Sequence, residues 1–235
     1  MKLVAGHQPN LYPYAGFFAK IATVDEFVIV DNTQYVKKQF HNRNRIKFPD
    51  GESRWLSIPV RNSGHYKQRI NETKIDNSDT WRRKHTKTLR SNYSSAPFFN
   101  DFFPKIELLL SQEWRLLVDY NIAVIKECVE YLNIETPMVK ASALSISGIA
   151  TELILDICQK TNSDSYLHGK HARDYVDFSL LENAGITNQI QDYSARAYRQ
   201  ISGSFISNLS VLDIIFNCGP NSLNVIMAGQ KIVSP

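Results

Sequence analysis

Side chains suited to chemistry gather in three short stretches, and each follows an apolar run. His7, Gln8 and Asn10 come directly after KLVAG; Asp31, Asn32 and Gln34 close or follow EFVIVD; His168, Gly169, Lys170, His171 and Arg173 follow YL. A histidine can act as general acid or base, or donate to a phosphate. A carboxylate at a strand end can position an amine or hydroxyl. Gly169 and Lys170, with Arg173 one turn on, can hold a phosphate through backbone N–H groups and two cations. Each stretch also has an ordinary structural reading: a hydrogen-bonded histidine, a turn-forming aspartate, and amides that cap a helix or hold a turn. His168, His171 and Asp174 have the spacing of a metal face on a helix, but a helix should not start before Gly169, so no metal site is assigned.

The charge distribution points to an anionic partner. Residues 1–100 hold 17 Lys and Arg against 8 Asp and Glu, a balance of +9, whereas residues 101–235 hold 10 against 15, or −5. The densest basic piece, KKQFHNRNRIK at 37–47, contains Arg43, Arg45 and Lys47 and no acid; WRRKHTKTLR at 81–90 adds Arg82 and His85. A solvated basic face and a site for a phosphorylated small molecule both account for these runs. Nucleic acid is disfavoured: Tyr35, Phe40, Trp55 and Trp81 could interleave with the charges, but no RNP, zinc-finger or basic-zipper pattern is present.

Asp213 lies in LSVLDIIF, which otherwise reads as a buried helix, so its carboxylate needs a partner, expected to be one of the N-terminal arginines. His85 falls on the apolar side of its helix, where a satisfied core histidine competes with a catalytic one. Cys218 would need a nearby base to act as a nucleophile. The three cysteines form no CxxC pair and fit a reducing compartment. There is no GxGxxG, GxxxxGK[ST], GxSxG or HExxH, so dinucleotide oxidoreductases, P-loop NTPases, α/β-hydrolases and zincins lose their usual support. No apolar run approaches the roughly 20 residues that span a bilayer, and the first residues lack the pattern of a signal peptide, so a cytoplasmic location is expected.

The elements that must position these residues follow from periodicity. KLVAG reads as a strand, the Pro9 and Pro13 segment as a tight loop, residues 14–22 as a short helix, and EFVIVD as a second strand, together a βαβ unit. RIKFPDGESRWLSIPV carries a Pro-Asp-Gly turn between two β-like runs and predicts a hairpin. Helices are expected over 79–93, 97–110 and 113–132, then a strand at PMVKASAL, a helix at IATELILDICQKT, a strand entering the Gly169 loop and a helix, a last strand at NQIQDY, and two closing helices. The expected architecture is α/β: a mainly parallel sheet flanked by helices, in one domain over 1–235, with a helical insertion at about 78–133 and a β-hairpin excursion. In such sheets ligands collect at the carboxyl ends of the strands, where the three chemical stretches fall.

The segments HQPNLYPYAGFFAKIATVDEFVIVDNTQY, FHNRNRIK, WRRKH, YLHG with ARDYVD, and NLSVLDIIFNCG, in that order, resemble the WbqC-like family. The resemblance implies a bacterial cytosolic enzyme of surface-polysaccharide (O-antigen type) or nucleotide-sugar biosynthesis, acting as an acyl or aminoacyl transferase or a ligase on an amino sugar. ATP or another nucleotide with magnesium would be its cofactor, and a phosphorylated or nucleotide-linked small molecule and other glycan-biosynthesis proteins its partners. The alternative is a non-catalytic scaffold of such a complex. On this reading His7, Asp31 and His85 are the candidate catalytic residues, and Gln8, Asn10, Gln34, Asn42, Arg43, Lys47, Arg82, Gly169, Lys170, Arg173 and Asp213 the candidate binding residues. Two positions depart from the family pattern: Asn32 stands where an acid is usual and His168 where a serine is usual. The N-terminal unit is also similar to the start of nucleotidylyltransferases that carry an HxGH motif, although Tyr14-Ala15-Gly16-Phe17 occupies that place without either histidine, a likeness of fold alone.

Overall fold

The structure is a computed structural model that describes residues 1–61, 67–78 and 80–235. β1 (Leu3–His7), α1 (Ala15–Thr23) and β2 (Glu26–Ile29) form the expected βαβ unit, with β1 and β2 parallel in register Val4 to Glu26. β3 (Arg43–Lys47) and β4 (Ser53–Ser57) make the antiparallel hairpin as a separate two-stranded sheet. Helices α2 (Trp81–Tyr93), α3 (Phe99–Ser111) and α4 (Leu117–Tyr131) follow, with Trp81, His85 and Leu89 buried along one face of α2. Residue 79, where the α2 pattern was expected to begin, lies outside the described residues. β5 (Met138–Lys140), α5 (Ala150–Thr161), β6 (Ser165–His168), α6 (Phe178–Asn183) and β7 (Thr187–Gln191) resume the alternation; α7 (Val211–Cys218) and α8 (Ser222–Met227) close it.

The main sheet has the order β5-β2-β1-β6-β7-β8, parallel except for the two-residue edge strand β8 (Ile232–Val233), which no sequence pattern announced. Successive side chains of a strand point to opposite faces, and the burial follows suit. Ala5, Phe27, Ile29 and Leu167 pack with α1 and α7, whereas Val4, Val28, Val30 and Tyr166 pack with α5 and α6. After the Gly169 loop the chain makes a 3-10 turn over Lys170–Asp174 rather than the expected α-helix. Ile149, read from periodicity as part of the α5 stripe, precedes the helix and is exposed.

The chain runs outward from β1 in one direction through β2 and β5, then returns past β1 to lay down β6 and β7 on its other side. The loops after β1 and β6 therefore diverge, leaving a crevice at the carboxyl ends of the strands. The loop after β1 has no regular hydrogen bonding of its own, so its backbone oxygens need side-chain donors. Two buried asparagines supply them. Asn44 on β3 donates to the carbonyls of Leu11 and Tyr12 (3.1 and 2.8 Å), and Asn121 on α4 donates to those of Pro9 and His41 (2.8 Å each). Hairpin and helices thus hold the loop that presents His7.

The core end of the hairpin is pinned by polar contacts. Asp213 is fully buried and receives Tyr198 Oη (2.7 Å), Tyr93 Oη (2.9 Å) and Gln200 Nε2 (2.9 Å), while Lys47 Nζ donates to Gln200 Oε1 (2.7 Å) and to the Ser204 carbonyl. The partners are therefore two tyrosines and an amide, not the arginine expected from sequence. Burial raises the Asp213 carboxyl pKa, against the pull of these donors. Asp213→Ala should leave three donors unsatisfied in the core and lower the unfolding free energy by on the order of 3 kcal/mol, read from urea denaturation.

Candidate functional site

At the carboxyl ends of β1, β6 and β7 a cleft of about 950 Å³ opens between the loop after β1, the hairpin and the Gly169 loop. Its volume is that of a site for a nucleotide-sized molecule. Of the candidates named from sequence, His7, Gln8, Asn10, Gly169 and Lys170 line it. The others lie elsewhere. Asp31 is held by Ser142, through its backbone N–H (2.9 Å) and Oγ (2.6 Å). Asn42 donates to the Ile58 carbonyl, Arg82 to Gln112 and Arg173 to Ser234; Gln34 bridges to Arg69. His85 is buried between Ser57 and Tyr12, and Lys47 and Asp213 belong to the core network. Arg43 stacks on Trp55 just outside the cleft. Burial raises the Cys218 thiol pKa to about 11, the opposite of nucleophile activation.

Four histidines line the cleft; His41 has both ring nitrogens engaged, by Gln8 and Val36, and His171 lies against Asp174, whereas His7 and His168 each have their tautomer fixed by an acceptor and one nitrogen left over. His7 Nδ1 donates to the Gln8 carbonyl (2.9 Å), which leaves Nε2 with its lone pair. His168 Nε2 donates to Asn188 Oδ1 (2.8 Å), an amide whose nitrogen in turn donates to the Ile186 carbonyl (3.3 Å), and Nδ1 keeps its lone pair. Desolvation, reinforced by Lys20, brings the pKa of His7 to about 4; His168 lies at about 4 for the same reasons, against the Asn188 bond. Both rings are therefore neutral bases at physiological pH. Phe17 fixes the His7 ring edge-on at 5.1 Å. Gln8 is spent on structure: its Oε1 accepts from His41 Nε2 (2.8 Å) and its Nε2 donates to Thr33 Oγ1 (2.9 Å).

The residue that sequence reasoning missed is Lys20. It lies on α1 at 4% exposure, lines the cleft, and has no hydrogen-bond or ion-pair partner among the described residues. Its ammonium sits under the Gly169 loop, 3.5 Å from where a Cβ at Gly169 would be. Burial lowers its pKa to about 8. The sequence signal was available: Lys20 falls three residues after Phe17 and beside Ile21, on the stripe that faces inward. A charge on an apolar face must be paired or cost free energy, and among the described residues no carboxylate pairs with it. Arg45 lines the cleft from the hairpin, and Lys170 reaches it from its rim, paired with Asp192 at 3.2 Å.

These features define an α/β protein of doubly wound order with a cationic, histidine-bearing cleft at the point where the strand order reverses. Sequence comparison gives that class a family. The model of the WbqC-like protein family matches residues 8–225, and the chain belongs to that family. A protein of Mycobacterium tuberculosis (strain ATCC 25618 / H37Rv), called "Uncharacterized protein Rv1507c", is 35% identical over 221 residues, which cover 93% of this chain and 95% of that protein. No solved structure matches the chain. No helix of the described residues is long and apolar enough to cross a membrane, and no group of three or more His, Cys, Asp or Glu among them is placed to hold a metal ion.

Proposed function

We propose that the chain is an enzyme of surface-polysaccharide or nucleotide-sugar biosynthesis that transfers an acyl or aminoacyl group to an amino sugar carrying a phosphate or nucleotide. The observation that carries this reading is the unpartnered Lys20 ammonium, buried in one cleft with two neutral histidines. A buried cation without a protein anion is a site for a ligand anion, here a phosphate or the oxyanion that develops when an acyl carbonyl is attacked. A histidine with a free lone pair takes the proton of the attacking amine. His7 Nε2 is the base: as the sugar nitrogen bonds to the acyl carbon, its proton passes to His7 and the bond to the donor's leaving group breaks. In the ligase form of the reaction ATP with magnesium would supply the activation of the acyl group, and Lys20 and Arg45 are the cleft residues that would hold its phosphates. Family membership supports the substrate class, and the basic N-terminal half supports an anionic ligand.

A thermal-shift screen against ATP, CTP, UDP-sugars, dTDP-amino sugars and coenzyme A thioesters, with and without magnesium, tests the reading. A ligand at 100 times its Kd adds about 2.7 kcal/mol and should raise the midpoint by several degrees. Mass spectrometry of the stabilising sugar, incubated with acyl donors, should then show the added acyl mass. No response to any phosphorylated compound, together with capture of a glycosyltransferase by the intact protein, would instead establish a scaffold.

A further inference from the structure

The hairpin carries an aromatic surface that the acyl-transfer reading leaves unused. Trp55 on β4 is 45% exposed and Phe40, just before β3, is 42% exposed; their ring centroids lie 5.7 Å apart at 49°. Large aromatic side chains left open at two adjacent positions mark a contact surface. Both are fixed in place. The Arg43 guanidinium lies 4.1 Å over the Trp55 ring and donates to the Lys38 carbonyl, while its Nε is buried without a hydrogen-bond partner among the described residues. The Phe40 carbonyl accepts from Leu11 N–H (2.9 Å), which ties this residue to the loop after β1.

The surface continues into the cleft. In the hairpin register Arg45 stands opposite Trp55, so Arg45 and its diagonal neighbour Arg43 share the face of Trp55. Arg45 and Phe40 themselves line the cleft. A flat apolar ring lying here would have cations on the path between it and Lys20, and no acid occurs anywhere in 37–47. Flat ring at one end and anion at the other is the chemistry of a nucleotide. Bases stack on aromatic and guanidinium faces without needing edge hydrogen bonds.

We propose that the hairpin face of Trp55, with Phe40 and Arg43, seats the nucleobase of a nucleoside diphosphate whose phosphates extend past Arg45 to Lys20. This deepens the function proposed above and rests on its anion site. It also assigns the hairpin a role: a specificity element for the carrier end of the substrate, separate from the histidines at the reacting end.

Tryptophan fluorescence reads it: Trp55 is half-exposed, Trp81 is buried and Trp114 is partly buried with its Nε1 donating to the Leu109 carbonyl, so the quench that disappears in Trp55→Leu is the signal of the seat, and affinities of that variant are read by isothermal titration. The probes are ADP, GDP, CDP, UDP and dTDP, with inorganic pyrophosphate as the ligand without a ring and methyl glucoside as the ring without charge. At least one diphosphate should quench the emission and bind tenfold or more tighter than pyrophosphate. Trp55→Leu and Phe40→Leu should each weaken that diphosphate by roughly tenfold and leave pyrophosphate unchanged. Equal affinity for pyrophosphate and every diphosphate overturns the nucleobase seat while leaving the Lys20 anion site intact. Quenching by methyl glucoside alone overturns it in favour of a sugar platform. If neither pyrophosphate nor any diphosphate binds, the anion site fails and the seat with it.

Discussion

Lys20→Met is expected to make the protein more stable and unable to bind its anionic ligand. The ammonium is buried under the Gly169 loop with no counter-charge among the described residues, and its pKa falls from the usual 10.5 to about 8. That displacement corresponds to a cost of about 3 kcal/mol at neutral pH, which an apolar side chain of similar length does not incur. In a chain of this size such a gain raises Tm by roughly 5–10 °C. Between about pH 8 and 10.5 the unfolded lysine still holds its proton while the folded one has released it. The unfolded state binds more protons there, and wild-type stability should rise with pH across that window. The rise should be missing from the variant. Affinity for pyrophosphate should fall on the order of 100-fold, since the cation that meets the anion is gone. Differential scanning calorimetry across pH and isothermal titration decide the matter; a variant that is less stable than wild type, or that binds pyrophosphate equally well, would refute the assignment of Lys20 as an anion holder.

His7→Ala should reduce turnover by about 10²–10⁴-fold with little change in fold, the range for loss of a positioned general base. Its free nitrogen points to an unusual pH profile. The base works when unprotonated and its pKa is about 4, so the acid limb of kcat/KM should lie near pH 4 rather than near the ordinary 6.5 of histidine. Lys20 works when charged and titrates at about 8, so kcat/KM should fall above that value. The expected profile is a plateau between roughly pH 5 and 7 with both limbs set by burial, and Lys20→Arg should move the alkaline limb upward because a guanidinium stays charged. An acid limb at pH 6.5, or full activity in His7→Ala, would remove His7 from the chemistry.

The fold was largely readable from the chain because its elements carry their own periodicities. The apolar runs KLVAG and EFVIV, the Pro49-Asp50-Gly51 turn and the stripe of Trp81, His85 and Leu89 are local signals, and each became the element it announced. The edge strand β8 is only two residues long and has no period to detect. The site was legible in part: strand ends drew attention to His7 and Gly169, both of which line the cleft. The basic cluster misled because its members share one face of β3 but meet different surroundings along it. Arg45 reaches the cleft, whereas Lys47 is drawn into the core by Gln200 and Ser204, more than 150 residues away in sequence. Asp213 and its tyrosines, one of them 120 residues distant, could not be paired from spacing. Lys20 was hidden by its neighbours, a single charge in a helix otherwise read as an apolar face.

The central position of β1 shapes how the protein emerges from the ribosome. One neighbour, β2, follows within about two dozen residues, but the other, β6, begins only at Ser165, after the hairpin, β5 and the helices α2 to α5. At about 5–20 residues per second, β1, α1 and β2 wait on the order of ten seconds or more for that second neighbour. Until β6 arrives there is no Gly169 loop above Lys20, and its ammonium stays in water. The dehydration penalty of that lysine is therefore deferred to a late docking step, when most of the apolar core has been synthesised and can offset it. A chain halted before Ser165 holds the early unit without its most costly group buried, and the cleft comes into being only as the two halves of the sheet meet.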